Sequence, residues 1–151
     1  MNELAPKRLS QEEFEKSFEN VPRVAVNFIV TDVDGRVLLA RRNIPPCEGD
    51  WHFPGSFVLK NELINEALKR VAKNELGMDL TEEVNLKLLG NFDDIDGDPR
   101  GHVIDMAYGM QIKETSRIVA TKENIEVAFF DKLPENIGFN HRNTLEKLGY
   151  K

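Results

Sequence analysis

Residues 53–78 read FPGSFVLKNELINEALKRVAKNELGM, and this stretch decides the fold. It opens on Pro54-Gly55, and the residues from Phe53 to Val58 suit a short strand or turn. From Asn61 to Leu76 the pattern turns helical. Leu63, Ala67 and Val71 recur every fourth residue, Asn61 is placed to cap the N-terminus, and Gly77 stands where a helix ends. Glu62, Glu66, Arg70 and Asn74 form one polar stripe, with Glu75 at its edge beside Val71. Carboxylates on a helix directly after a Pro-Gly turn could hold a hard divalent cation such as Mg2+, which takes oxygen ligands and keeps several waters. Such an ion could bridge diphosphate oxygens and neutralise charge that develops as a P–O bond breaks. The plain alternative is a solvated helix face with i,i+4 pairs such as Glu66–Arg70.

Outward from this helix, the chain alternates strand and turn signals. SQEEFEKSFEN, residues 10–20, predicts a short helix with Phe14 and Phe18 on one face, ended by Pro22. Val24–Val30 and Val37–Ala40 are β-rich and flank Asp34-Gly35, a hairpin signature. Residues 41–51 contain two prolines and a glycine and predict a loop. Strands are expected over 84–91, 103–112 and 125–130, an acidic loop over 92–101, and a last helix over 140–148. Strands, a helix, more strands and another helix imply an α+β chain, a mixed α/β/α sandwich. With no linker or internal repeat, residues 1–151 are expected to form a single domain, with 1–20 as an N-terminal helical extension.

Composition bounds the function. A length of 151 residues with 40% apolar content can bury a core, and no apolar run is long enough to span a membrane. The charged N-terminus lacks the apolar stretch of a signal peptide, and a lone Cys47 cannot form an internal disulfide, so a cytoplasmic location is the default expectation. A net charge of −6 does not attract nucleic acid or an anionic membrane surface. A phosphate-ester substrate would need local basic residues or a divalent cation to offset that field.

Read together with its flanks, the helix resembles the Nudix box, which runs Gly, five residues, Glu, seven residues, Arg-Glu-apolar-x-Glu-Glu-x-Gly-apolar. The spacing from Ser56 through Glu62 and Arg70 to Glu75-Leu76-Gly77-Met78 matches without gaps, and the likeness extends over roughly residues 20–148. Three positions depart from the pattern: Ser56 replaces the box glycine, Val71 a glutamate, and Asn74 the first glutamate of the final pair. Of the three carboxylates that match usual metal ligands, only Glu75 remains. With the early SQEEF helix, the Phe28-Ile29-Val30 strand, Arg42 after LLA, Gly49 and Trp51 in the loop, and a box ending in a single Glu75-Leu76-Gly77, the first 80 residues look like the GDP-mannose mannosyl hydrolase branch, which works with a depleted box. That resemblance implies Mg2+ held by the Gly55 carbonyl, Glu75 and the diphosphate itself, with Glu62 as a further candidate ligand and Mn2+ as a substitute ion. The branch's late Gln-His pair corresponds to Glu123-Asn124, so Glu123 is a candidate base or ligand, or merely an exposed loop residue.

The second half resembles ADP-ribose pyrophosphatases, through Asp98-Pro99-Arg100-Gly101-His102 and Gly138-Phe139-Asn140-His141-Arg142. This implies an adenosine or ribose site around Arg100; alternatively Arg100 pairs with Asp93 or Asp94, and His141 caps or packs the last helix. Arg41 and Arg42 are adjacent on a strand and point to opposite faces, and Arg42 fits the family's phosphate position better. Trp51 is a candidate pocket wall or a core residue. The resemblance thus implies a hydrolase of a nucleoside diphosphate joined to a sugar or similar group, ADP-ribose-like or GDP-mannose-like, with Glu75, Glu123 and Arg70 as catalytic candidates. The alternative is a catalytically weak or inactive domain that binds a nucleotide sugar as a sensor. Homodimerisation is common in the family.

Overall fold

The computed structural model describes residues 4–81, 85–114, 118–121 and 124–151. Helix α1, Gln11–Asn20, begins where Ser10 and Glu13 close a reciprocal capping box. Strands β1 (Arg23–Thr31) and β2 (Val37–Arg42) form the expected hairpin. At its tip Asp32 accepts from the Asp34 and Arg36 amides, and Gly35 takes φ +80°. The predicted loop over 41–51 is followed by two short strands, β3 (Trp51–His52) and β4 (Gly55–Phe57).

Helix α2 spans Ile64–Val71, starting later than the cap placed at Asn61. Asn61 has φ +65° and belongs to the turn, while the Leu63 amide donates to Glu66 Oε2 at 3.0 Å. The correction is local: the side chain three residues into the helix meets the first free amide, so no cap from Asn61 is required. The next turn, Ala72–Leu76, widens into π-helical geometry and stops at Gly77, which adopts φ +66°.

The remaining elements are β5 (Lys87–Asp94), β6 (Val103–Gln111), β7 (Asn124–Phe130) and α3 (His141–Lys147). Strand β5 runs on through Phe92, Asp93 and Asp94, where a loop was expected, because these residues pair with Asp105, Ile104 and Val103 of β6. Val84, the expected start of that strand, lies outside the described residues.

Among the described residues the sheet is mixed and seven-stranded, ordered β3-β2-β1-β6-β5, with β4 on β1 and β7 on β2. β1 and β6 run parallel from Arg23↔Val103 to Thr31↔Gln111. β1 and β2 are in register at Thr31↔Val37; beyond that point β1 takes β4 and β2 takes β7. On one face Val26, Phe28 and Val30 pack with Ala67, Leu68 and Val71 of α2. On the other Ile29, Leu39 and Ala107 pack with Leu145 of α3. A third cluster joins Ala25 and Val103 to Phe18, with Phe14 and Phe57 against it. This is the α/β/α sandwich expected. Asn27 interrupts the apolar row of β1 between Ala25 and Ile29, and that polar break marks the site.

Candidate functional site

A cleft of about 880 Å³ opens beside β4, lined by Gly55, Ser56, Arg42, Arg100 and Glu75. A smaller chamber of about 60 Å³ shares Gly55, Arg42 and Arg100 and is walled by Asn27, His52, Asp94, Asp98, Asp105 and His141.

Gly55 cannot be larger. A Cβ there would sit 1.8 Å from Asn27 Oδ1 and 2.8 Å from the Val26 carbonyl, because β4 pairs Gly55 directly with Asn27. The neighbouring Ser56, in register with Val26, tolerates a side chain.

Glu75 is 5% exposed and is held from across the fold. Asn124 Nδ2 donates to Glu75 Oε2 at 3.1 Å, and Asn124 Oδ1 lies 3.2 Å from His52 Nε2. His52 Nδ1 is 2.8 Å from the Phe53 carbonyl oxygen. The carboxylate is therefore the end of a buried polar chain whose members come from β3, β7 and the π turn. Val71, one turn earlier, is fully buried in the core, and Asn74 is exposed. The departures from the box pattern thus fall on a packing position and a solvent position.

Glu62 and Arg70 hold one another. Arg70 Nε and an Nη donate to Glu62 at 2.7 and 3.0 Å, and the same guanidinium reaches the Phe57 carbonyl at 2.8 Å. The Leu59 amide also donates to Glu62. This replaces the Glu66–Arg70 pair considered above: Glu66 turns instead to the Leu63 amide. Burial alone raises the Glu62 carboxyl, but the Arg70 and Leu59 hydrogen bonds and the Arg70 charge outweigh it and hold the group below its ordinary range. As a metal ligand Glu62 would first have to surrender these bonds; as placed, the pair ties α2 to the end of β4 and positions Gly55–Phe57.

Arg42 reaches the cleft while Arg41 turns to the Gly49 carbonyl and Glu126. Arg42 donates to the Pro46 carbonyl at 2.6 Å and lies over the Phe139 ring at 5.0 Å. Burial, then the Arg100 charge, lower its proton affinity. Arg100 pairs with Asp98, at 3.0 and 2.8 Å, and not with Asp93 or Asp94. The reason is proximity: Asp98, two residues earlier, also accepts the Arg100 amide. Trp51 is not among the lining residues of either cavity. Its ring packs edge-on against Phe130, 4.8 Å between centroids, while His52, the next residue on β3, faces the chamber. His141 stacks on Phe53 at 3.5 Å and accepts its amide hydrogen at Nδ1. Burial, with the charges of His52 and Arg42, keeps it neutral well below the ordinary histidine range. Glu123 lies outside the described residues.

Sequence alone does not single out Asn27, His52 or Asp105, and gives Asp94 only as a partner for Arg100 and Asn124 only as the residue at the branch's histidine position; a polar residue inside a strand otherwise buried is the available signal for Asn27 and Asp105. Asp105 is 4% exposed and accepts from Asn27 Nδ2 at 2.6 Å. Burial pushes its carboxyl up to about 7, opposed by the Asn27 bond and aided by Asp94 and Asp98. Between the ordinary carboxyl value and about 7 the folded protein binds the extra proton, so this group lowers stability as pH rises through that window. Asp105→Asn keeps the bond from Asn27 and is expected to abolish that decline, flattening stability against pH between 4 and 7 by a few kcal/mol at most. Urea titrations across the window would show it; parallel curves for the two proteins would refute it.

A family model described as NUDIX domain matches residues 21–148. The chain is 33% identical over 120 residues to the low-salt glycan biosynthesis protein Agl8 of Haloferax volcanii, covering 78% of this chain and 76% of that one. It is 35% identical over 127 residues to an ADP-ribose pyrophosphatase of Methanocaldococcus jannaschii, covering 83% and 72%. Among solved structures, a MutT NUDIX hydrolase from Burkholderia pseudomallei superposes with a TM-score of 0.71 at 29% identity, covering 85% of this chain and 99% of that one.

Proposed function

This chain belongs to the Nudix family, and from that premise we propose that it hydrolyses a nucleoside diphosphate joined to a sugar or similar group, ADP-ribose-like in the first instance. The carrying observation is the cleft in which Glu75, the Gly55 strand and Arg42 meet. The relative named as an ADP-ribose pyrophosphatase supports the substrate class.

The described residues contain no cluster of three His, Cys, Asp or Glu side chains fit to hold a metal by itself. What they offer in the larger cleft is one buried carboxylate, Glu75, and the Gly55 backbone. That set fits a Mg2+ ion, or Mn2+ in its place, that arrives with its diphosphate and keeps part of its water, rather than a preformed metal cage. When bound, such an ion would neutralise charge on the phosphates during P–O cleavage. Arg42, fixed by the Pro45 and Pro46 carbonyls and seated on Phe139, presents its charge to the same anion at little ordering cost. The Glu62–Arg70 pair keeps the Gly55 strand in place. Asn124 orients Glu75. Glu123 remains a candidate base.

The test is release of phosphomonoester products, or of nucleoside diphosphate and free sugar, from ADP-ribose, GDP-mannose and other nucleoside diphosphate sugars, with Mg2+ or Mn2+ supplied. The two product sets distinguish attack of water at phosphorus from attack at the anomeric carbon. Turnover is expected with ADP-ribose. The sparse carboxylate set favours a second reading, a nucleotide-sugar sensor. Ligand-induced thermal stabilisation without turnover of any compound would establish that reading and overturn the first.

A further inference from the structure

The larger cleft is far more basic than the chain that forms it. The protein carries a net charge of −6, yet Lys7, Arg8, Arg23, Arg42, Lys60 and Arg100 line this cleft, and among the described residues Glu75 is its one acidic lining residue. Arg42 is assigned to the diphosphate in the reading above, and Arg100 lines both this cleft and the smaller chamber. Lys7, Arg8, Arg23 and Lys60 have no part in that reading.

These four are brought together by the N-terminal segment. The Lys7 amide donates to the Lys60 carbonyl at 3.0 Å, laying residues 7 and 8 along the exit of β4. The Val58 amide in turn donates to the Val24 carbonyl, which sets that exit beside Arg23 at the start of β1. Arg23 is half-buried and donates to Ser17 Oγ of α1. Its guanidinium lies 5.2, 5.7 and 5.3 Å from the rings of Phe14, Phe18 and Phe57. Arg100 lies against the same three rings, at 5.8, 5.5 and 5.2 Å. Two guanidinium groups therefore share one aromatic floor, and only Arg100 has a carboxylate partner, Asp98. Among the described residues, no ion pair involves Lys7, Arg8, Arg23 or Lys60. Burial and the Arg100 charge both press on Arg23, lowering its proton affinity. A half-buried cation placed against another and left without a counter-charge is an unfavourable arrangement that an anion would relieve.

We propose that Arg23, Lys7, Arg8 and Lys60 form a second anion subsite, which receives a phosphoryl group that the substrate carries in addition to the cleaved diphosphate. This rests on the diphosphate reading above. Asn27, opposite Gly55, and Arg23 are four residues apart on β1, about 13 Å along the strand. That separation leaves room for a sugar between the two anions, so the substrate class is a nucleoside diphosphate derivative with a phosphorylated sugar. Arg23 supplies the planar fork that grips phosphate, and the three rim cations draw the anion in.

The experiment has a binding arm and a kinetic arm. Ribose 5-phosphate and unphosphorylated ribose are titrated calorimetrically into metal-free protein, for wild type, Arg23→Gln and the exposed-rim double variant Arg8→Gln/Lys60→Gln. Ribose 5-phosphate is expected to bind and ribose not, with affinity falling about tenfold or more in each variant. The double variant guards against a packing defect at Arg23, since its two residues are exposed. In parallel, KM is compared for ADP-ribose and ADP-ribose 2′-phosphate; wild type should prefer the phosphorylated compound, and the variants should lose the preference. No binding of ribose 5-phosphate, or binding unchanged in both variants, overturns the subsite. If neither these two nucleotides nor any of the nucleoside diphosphate sugars above is turned over, the hydrolase reading fails while the binding arm still decides this one.

Discussion

Glu75→Gln is expected to lower kcat on ADP-ribose by roughly a thousandfold, about 4 kcal/mol in the activation barrier. Losing a group that merely orients a metal ligand costs about 10- to 100-fold, so losing the charged ligand itself should cost more. Among the described residues no second carboxylate lines the cleft to share the task. Glutamine preserves size and still offers an oxygen to the Asn124 amide, which now meets Glu75 at 3.1 Å, so the fold should survive. The measurement is kcat across a Mg2+ titration, with the melting temperature as control. A variant that matches wild type at saturating Mg2+ would remove Glu75 from the site altogether.

The second large effect is on stability. Arg70→Ala leaves Glu62, 3% exposed on its side chain, with the Leu59 amide but without its cationic partner. Removing one member of a buried pair typically costs about 3–5 kcal/mol, here a fall of roughly 10 °C in Tm. The sign with pH follows from the depressed Glu62 carboxyl. In the wild type its contribution is fully present above the ordinary value near 4.5 and is lost as pH falls through the lower folded value. In the variant the unpaired carboxyl is raised by burial, so stability falls as pH climbs above about 4.5. The gap between the two proteins should therefore be widest near neutrality and narrow toward pH 4. Adding Glu62→Gln to Arg70→Ala should recover part of the loss. A deficit below about 1 kcal/mol at pH 7 would class the pair with exposed ones.

Both predictions concern residues whose spacing was legible along the chain, yet their roles came apart in three dimensions. Glu62, Arg70 and Glu75 lie on one helical segment and read as one polar face. In the folded protein Arg70 and Glu62 clamp the end of β4, and the π turn places Glu75 under Asn124. Trp51 and His52 are neighbours on β3, and the one that reached the site was the residue not selected. A strand sends adjacent side chains to opposite faces, and which face is the pocket depends on what packs against it.

Local rules were enough for the architecture. The four-residue spacing of Leu63, Ala67 and Val71, the Asp34-Gly35 turn and the glycine after Leu76 follow from backbone geometry and side-chain periodicity, which act over a few residues. The resemblance to the Nudix box, and not periodicity, set Gly55, Glu75 and Gly77 in register. The tertiary structure decided the rest. Asn27 meets Asp105 across 78 residues, His52 meets Asn124 across 72, and Asn124 meets Glu75 across 49. Whether Glu62 pairs with Arg70 or faces solvent, and whether Arg23 is a surface charge or a cleft wall, turn on burial. Burial is set by the return of distant strands, and no periodicity within a window of sequence carries it.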